Sequence, residues 1–303
     1  MHITLWGENI PIAKEVCGHF GGPPAPVEHP YINLYVRVTD LCWANCPFCI
    51  AHGSSPRPFY LQGYKDVLAE LYNQAYIKKV AITGGEPTSR LDVLSEVVMA
   101  TKDLDPRIVV DLNTNGQRLR YMKQEVWDAL GSVSLSRHHW DDFINARIFG
   151  TPRTYFDSQD IAGLSEDNKG KLHLRCNLAK GYVDSQEAVL HYMESMARLG
   201  VHDFGFVGLM GLNQWATDHL VKPQDIGLTL PLRGALPTKV QDKASGSCSC
   251  RNFVLDVLDN GLPVRYYTRW ESRPDTCVAS SVVYDVDRVT LGFGGKEIWG
   301  PKK

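Results

Sequence analysis

Residues 31–49 read YINLYVRVTDLCWANCPFC, and the fold is decided by how this stretch is read. Its first part, through Val38, is a β-branched and aromatic run that fits a pleated strand. The run ends at Thr39-Asp40, and Cys42, Cys46 and Cys49 follow at once with the spacing C-x3-C-x-F-C. Thiols this close, on a loop at a strand end, are too crowded for strain-free disulfides, so they point to a metal ion or an iron-sulfur cluster. A four-iron cube held by three cysteines leaves one iron open to a non-protein ligand. A structural zinc ion needs a fourth protein ligand, and His52 is near enough in sequence to supply it, so both readings stand at this point.

Working outward, the sequence alternates strand and helix patterns. YKDVLAELYNQA has helical spacing of Val67, Leu68, Leu71 and Ala75, and KKVAITGG is a strand that stops at a glycine pair. SRLDVLSEVVMATKDL is a helix with Ser89 as its expected N-cap. RIVVDLNTNG, SVSLSRHH, KLHLRCNLAKG and HDFGFVGLMGL read as further strands, with helices over EVWDALG and SQEAVLHYMESMARLG. Strands separated by amphipathic helices imply a parallel sheet with right-handed crossovers, whose chemistry gathers at the C-terminal strand ends.

Three motifs fall at those ends. Gly84-Gly85-Glu86-Pro87 combines glycines that admit a close approach with a carboxylate that can accept from a cation. A plain strand-to-helix turn also uses glycine and proline. Asn113-Thr114-Asn115-Gly116 ends the next strand, and Ser134 and Ser136 lie on the one after; short polar groups there can bond hydroxyls, although Asn-Gly is equally ordinary turn chemistry. Arg137-His138-His139-Trp140-Asp141-Asp142 brings titratable and aromatic groups to the same face, and one of His138 and His139 is expected to act in substrate binding or proton transfer. Cys176 on the fifth of these strands reads as a small core residue, and Cys17 as a buried or free thiol.

C-x3-C-x-(aromatic)-C followed by GGEP at the next strand end resembles the radical S-adenosylmethionine enzymes, with Phe48 as the aromatic residue. The segment YVRVTDLCWANCPFC is most similar to the branch that holds the molybdenum-cofactor GTP cyclase. The resemblance implies an open, partial (β/α)6 barrel of α/β class. It also implies a catalytic [4Fe-4S] cluster on Cys42, Cys46 and Cys49, with the open iron chelated by S-adenosylmethionine, whose reductive cleavage gives a 5′-deoxyadenosyl radical. In that family GGEP meets the methionyl amino group, which assigns Gly84, Gly85 and Glu86; Asn115, Ser136 and Arg175 are the implied contacts to the rest of the cofactor. An electron donor such as flavodoxin or ferredoxin is implied as partner.

The chain has 303 residues, 44% hydrophobic and 22% charged, enough for one large α/β domain with a modest appendage. A formal net charge of −2 argues against general nucleic-acid or membrane-surface binding. The N-terminus lacks a signal-peptide layout and no apolar run reaches membrane-span length, so a cytoplasmic location is expected. The expected divisions are a leader over 1–30, the barrel over 31–220, and a separate hairpin-rich element over 221–303. Its hairpins are NFVLDVL-DNG-LPVRYYTRW, turning at Asp259-Asn260-Gly261, and SSVVYDVDRVTLGF. Tyr266, Tyr267 and Trp270 are expected to cover a site in this element.

That last region carries Cys248, Cys250 and Cys277. C-x-C plus a distant cysteine resembles the auxiliary-cluster domains, SPASM or twitch-like, that several radical S-adenosylmethionine enzymes carry, and so implies a second [4Fe-4S] cluster. Two alternatives stay open: a thiol hydrogen donor, as in radical epimerases, and a structural zinc site. The spacing departs from the C-x2-C-x13-C of the GTP cyclase, and the sequence given lacks its terminal Gly-Gly. The expected substrate is a small polar molecule of sugar, aminoglycoside or nucleotide type, modified by epimerisation, oxidation or cyclisation; a peptide substrate and a non-catalytic zinc module are the alternatives.

Overall fold

The computed structural model describes residues 2–11, 31–49, 57–221, 226, 251–257, 260–267 and 281–300. They divide into two compact units. The first comprises Met1–Cys42, Gly53–Val133 and Arg273–Lys303, the second Trp43–His52 and Ser134–Ser272. Cys17, His52, Cys248, Cys250, Trp270 and Cys277 lie outside the described residues.

In the first unit, β1 (His2–Leu5) and β2 (Glu8–Pro11) form a hairpin in which Leu5 faces Glu8. Trp6 and Gly7, both at positive φ (48° and 83°), close its two-residue loop. ENIP is too short to show a strand period in sequence. The main sheet is built on β3 (Tyr31–Arg37), β4 (Tyr76–Thr83) and β5 (Val109–Thr114), paired parallel in that order. Their apolar residues are buried almost continuously, as Leu34, Val36, Val80, Ile82, Val110 and Leu112 show, which is why these strands read as near-unbroken hydrophobic runs. Helices α1 (Leu61–Gln74) and α2 (Leu91–Leu104) bury Val67, Leu68 and Leu71 on one and Val93, Leu94, Val97 and Val98 on the other. Tyr64 Oη and Thr101 Oγ1 lie 2.6 Å apart and tie the two helices together. A short helix, α3 (Gln124–Ala129), follows β5.

The C-terminal hairpin of β11 (Ser281–Asp285) and β12 (Arg288–Leu291) does not stand apart: β11 pairs parallel with β3, and β13 (Glu297–Trp299) adds beyond β12. Only Val286-Asp287 separates β11 from β12. Val286 is held at φ 66°, an unusual conformation for a β-branched residue. It is buried and fixed on both sides, its N–H donating to Arg37 O (3.0 Å) and its carbonyl accepting from Tyr60 N (2.9 Å).

The second unit takes β6 (Ser132–Ser136) from Ser134 onward, then β7 (Leu172–Leu178) and β8 (Phe204–Gly208), with β7 and β8 parallel. β10 (Asn260–Tyr267) pairs parallel with β8 and antiparallel with β9 (Arg251–Val257). The register places Asn260 opposite Val257. Asn260 and Gly261, expected in the turn, are therefore strand residues, since a two-residue connection already suffices. Between β6 and β7 lie α4 (Asp142–Phe149), α5 (Ser158–Ala162) and α6 (Glu166–Lys171), none foreseen from periodicity; each is opened by a side-chain cap, from Asp141, Asp157 and Ser165 respectively. The longer α7 (Gln186–Ala197) is capped by Ser185 and buries Val189, Tyr192, Met193 and Met196. α8 (Gln214–Asp218) follows β8.

Candidate active site

The cysteine loop begins where β3 ends, and its first residues are set by backbone contact. Gly85 N donates to Thr39 O and Glu86 N to Leu41 O, each at 2.7 Å. A Cβ at Gly84 would come within 2.5 Å of Thr39 O, and one at Gly85 within 2.5 Å of Leu41 O and 2.6 Å of Asp40 O. The glycine pair is thus required by the approach of the chain's own backbone, namely the lead-in to Cys42.

Glu86, expected to meet an ammonium group, is 1% exposed and turned into the protein. Its Oε1 accepts from Thr88 N (2.9 Å), Thr88 Oγ1 (2.7 Å) and Thr114 Oγ1, and its Oε2 accepts from Asn115 N at 2.6 Å. Burial raises its pKa while these four donors pull the other way. The carboxylate caps the 3-10 turn Pro87–Arg90 and fastens the end of β4 to the end of β5; Ser89, expected as the N-cap of α2, lies inside that turn, and Arg90 stands at the N-cap of α2 without a side-chain cap. Asn115 is oriented completely. Its N–H goes to Glu86, its Oδ1 accepts from Gln117 N at 3.0 Å, and its Nδ2 lies 3.5 Å from Cys42 Sγ.

Two arginines brace the same loop. Arg37 bridges Asp40 (3.0 Å) and Asp285 (2.9 Å), while Arg57 bridges Asp40 (3.0 Å), Asp285 (3.0 Å) and Asp287 (2.9 Å). The Asp40 side chain is 2% exposed and that of Arg57 27%. Residues on both sides of the three cysteines are therefore tied to the strained β11–β12 turn. Sequence reading missed this group, because partners such as Arg57 and Asp285 are separated by 228 positions.

Within the second unit, Ala44 and Cys46 are buried with Phe149, and Phe48, Cys49 and Tyr155 pack against them. Asn45 N donates to Phe149 O (2.8 Å), and Gly150, at φ 62°, has no Cβ to collide with Asn45 O. Asn213 caps α8 through Oδ1, accepting from Ala216 N, and through Nδ2 donates to Pro47 O at 2.9 Å. His138 meets the Phe48 ring edge-on with centroids 5.3 Å apart. Its Nδ1 accepts from Asn177 N at 3.1 Å, so Nε2 carries the proton, and burial lowers its pKa to about 3. This neutral imidazole supports the motif's aromatic residue.

His139 packs at a tilt against Trp140 (centroids 3.8 Å) with Nδ1 accepting from Asp141 N; burial lowers its pKa too. Arg137 is buried and donates through Nη2 to Trp140 O, Asp142 Oδ1 and Ser158 Oγ, which makes it a brace of the loop after β6. Ser136 is half-buried at the end of β6, and Arg175 half-buried on β7. Cys176 is buried with Sγ 3.5 Å from His138 O, and burial pushes its thiol pKa well up.

Among the described residues, Cys42, Cys46 and Cys49 form no disulfide. Among the described residues no group of three or more His, Cys, Asp and Glu side chains is gathered closely enough for a single metal ion. The chemistry of the donor set, three thiols within eight residues of sequence, suits a cluster held at three corners.

Residues 36–162 match the family described as the Radical SAM superfamily. Over that stretch, about two fifths of its length, the chain is similar to this superfamily. Among curated relatives, a GTP 3′,8-cyclase of Shewanella denitrificans is 27% identical over 201 residues, covering 63% of this chain and 58% of that protein. A GTP 3′,8-cyclase of Haemophilus influenzae is 30% identical over 118 residues, covering 37% of this chain and 34% of that protein. The chain thus spans between a third and three fifths of the length of these two relatives. Among solved structures, Streptococcus suis SuiB bound to S-adenosylmethionine is similar with a TM-score of 0.50 at 18% identity, covering 61% of this chain and 42% of that one. Native anSMEcpe with bound AdoMet and a peptide gives 0.52 at 18% identity, covering 65% of this chain and 56% of that one. These likenesses show the fold: α/β, parallel-stranded, of the partial-barrel type of radical SAM enzymes. The superfamily implies a [4Fe-4S] cluster and S-adenosylmethionine. No helix of the described residues is long and apolar enough to cross a membrane.

Proposed function

We propose that this chain is a radical SAM enzyme that holds a [4Fe-4S] cluster on Cys42, Cys46 and Cys49, cleaves S-adenosylmethionine reductively and abstracts hydrogen from a small polar substrate. The observation that carries the reading is the braced loop. Three thiols, Cys42, Cys46 and Cys49, follow a strand end whose geometry is fixed by Gly84, Gly85, Glu86, Asp40 and Arg57. When bound, the cofactor supplies the radical, and this chain's residues orient it and exclude water. Gly84 and Gly85 leave the loop's approach open, Glu86 acts from beneath, and Asn115, Ser136 and Arg175 are the candidate contacts to the cofactor. Flavodoxin or ferredoxin is the proposed class of electron donor, and the cytoplasm the proposed location.

Among small polar substrates a nucleotide has specific support, since the curated relatives that match are GTP 3′,8-cyclases. Protein prepared without oxygen, reconstituted with iron and sulfide and reduced with dithionite, is expected to release 5′-deoxyadenosine from S-adenosylmethionine. Colourless protein containing zinc in place of iron would overturn the assignment. With GTP present, a cyclised nucleotide product identifies the cyclase reaction; its absence alongside 5′-deoxyadenosine release moves the search to sugars and aminoglycosides, and then to peptides.

A barrel over 31–220 with a C-terminal element carrying a second cluster on Cys248, Cys250 and Cys277 belongs to the same proposal. In the redox-neutral version, Cys248 or Cys250 gives a hydrogen atom to the substrate radical, and the thiyl radical left behind takes one electron from the flavodoxin or ferredoxin donor and one proton to restore the thiol. In the oxidative version the second cluster accepts the electron.

A further inference from the structure

We propose that Asn115 is a positioning residue for the cluster: its side-chain amide donates to the sulfur of Cys42 and raises the reduction potential. The inference rests on the cluster reading of Cys42. It assigns Asn115 a role separate from contact with the bound cofactor.

The argument is one of orientation. An asparagine side chain is ordinarily free to turn either its oxygen or its nitrogen toward a neighbour. Here the backbone N–H of Asn115 is held by Glu86 Oε2 (2.6 Å), and its Oδ1 is used as acceptor by Gln117 N (3.0 Å), which fixes both the χ angles and the amide assignment. Gly116 at φ 84° makes this tight turn accessible, and its N–H donates to Thr114 Oγ1. The only end left to face Cys42 is Nδ2, a donor, at 3.5 Å from Sγ. The buried Glu86 carboxylate therefore acts at Cys42 through two steps, fixing the Asn115 backbone and so aiming its amide.

A donor aimed at a ligating sulfur favours the state with more negative charge. One-electron reduction adds such charge to a cluster, and hydrogen bonds to its sulfurs are among the factors that set its potential. Asn115→Asp keeps an acceptor for Gln117 N and the backbone bond to Glu86, but replaces the donor by an anion facing sulfur. Asn115→Ser keeps a short acceptor and removes the donor.

The test uses anaerobically reconstituted protein without S-adenosylmethionine, so that loss of a cofactor contact cannot move the result. The midpoint potential is read by redox titration of the reduced cluster's electron paramagnetic resonance signal. The expected result is a more negative midpoint in Asn115→Ser and a still more negative one in Asn115→Asp. Both variants titrating at the wild-type midpoint overturn the inference while leaving the cluster reading intact; wild-type protein that takes up no iron overturns the cluster reading itself. If a variant fails to hold iron, wild-type protein labelled with 15N at asparagine side chains decides. A weak 15N coupling to the reduced cluster in pulsed resonance supports the inference, and its absence overturns it.

Discussion

At the residue scale, the groups that look chemical in the sequence divide into those that face the loop and those that support it. Glu86 belongs to the second kind. Its two oxygens meet four donors, of which Thr88 Oγ1 and Thr114 Oγ1 also accept from Arg118 N and Gly116 N. Glu86→Gln would turn an N–H toward a donor it cannot satisfy, and is expected to lower unfolding stability by about 2 kcal/mol in urea titration. His138 gives a pH signature. The unfolded imidazole takes a proton below a pH of about 6.5, whereas the folded one resists until about 3. Between those values the unfolded chain binds more protons. His138 therefore contributes stability that is complete above about pH 6.5 and declines on acidification, by at most about 1.4 kcal/mol per pH unit. His138→Asn, which keeps an acceptor for Asn177 N, should show a shallower decline between pH 7 and pH 5 than wild type in paired denaturant titrations. The pairing His138-His139 was legible as a pocket feature, but adjacency in sequence says nothing of which ring is buried beneath Phe48.

At the element scale, α8 is only five residues long and is held by one side chain used twice. Asn213 Oδ1 caps the helix and Nδ2 holds Pro47 O between Cys46 and Cys49. Asn213→Ser keeps a cap and loses the tie to Pro47; Asn213→Ala loses both. The alanine variant is expected to be less stable than the serine variant by about 1 kcal/mol. Both should surrender iron to a chelator faster than wild type, read as the decay of cluster absorbance. If Asn213→Ser loses iron at the wild-type rate, the tie to Pro47 has no part in holding the loop. The parallel strands and long helices were legible because burial on both faces or on one stripe leaves a period in the sequence. α4, α5 and α6 were not, since five to eight residues with capping Asp141, Asp157 and Ser165 leave too short a pattern. The Arg37, Arg57, Asp40 and Asp285 group leaves none, being assembled by the parallel pairing of β11 with β3.

At the scale of the whole molecule, the chain carries two thiol triads that differ in what surrounds them. Cys42, Cys46 and Cys49 follow a loop start braced by backbone, carboxylate and arginine, whereas Cys248, Cys250 and Cys277 are known by spacing alone. If each triad holds a cube, anaerobic reconstitution gives roughly eight irons per chain, and replacing Cys42, Cys46 and Cys49 together with alanine leaves roughly four. Replacing Cys248 and Cys250 singly then separates the two proposed roles. A ligand variant loses iron from the second triad and leaves about four. A hydrogen-donor variant keeps the full iron count and still releases 5′-deoxyadenosine, yet forms no inverted product, because nothing quenches the substrate radical from the opposite face. Iron loss in both single variants would set the epimerase version aside in favour of oxidation or cyclisation. Wild-type protein holding roughly four irons, with none lost on replacing Cys248, Cys250 or Cys277, would remove the second cluster and leave the braced loop as the sole iron site of the proposal.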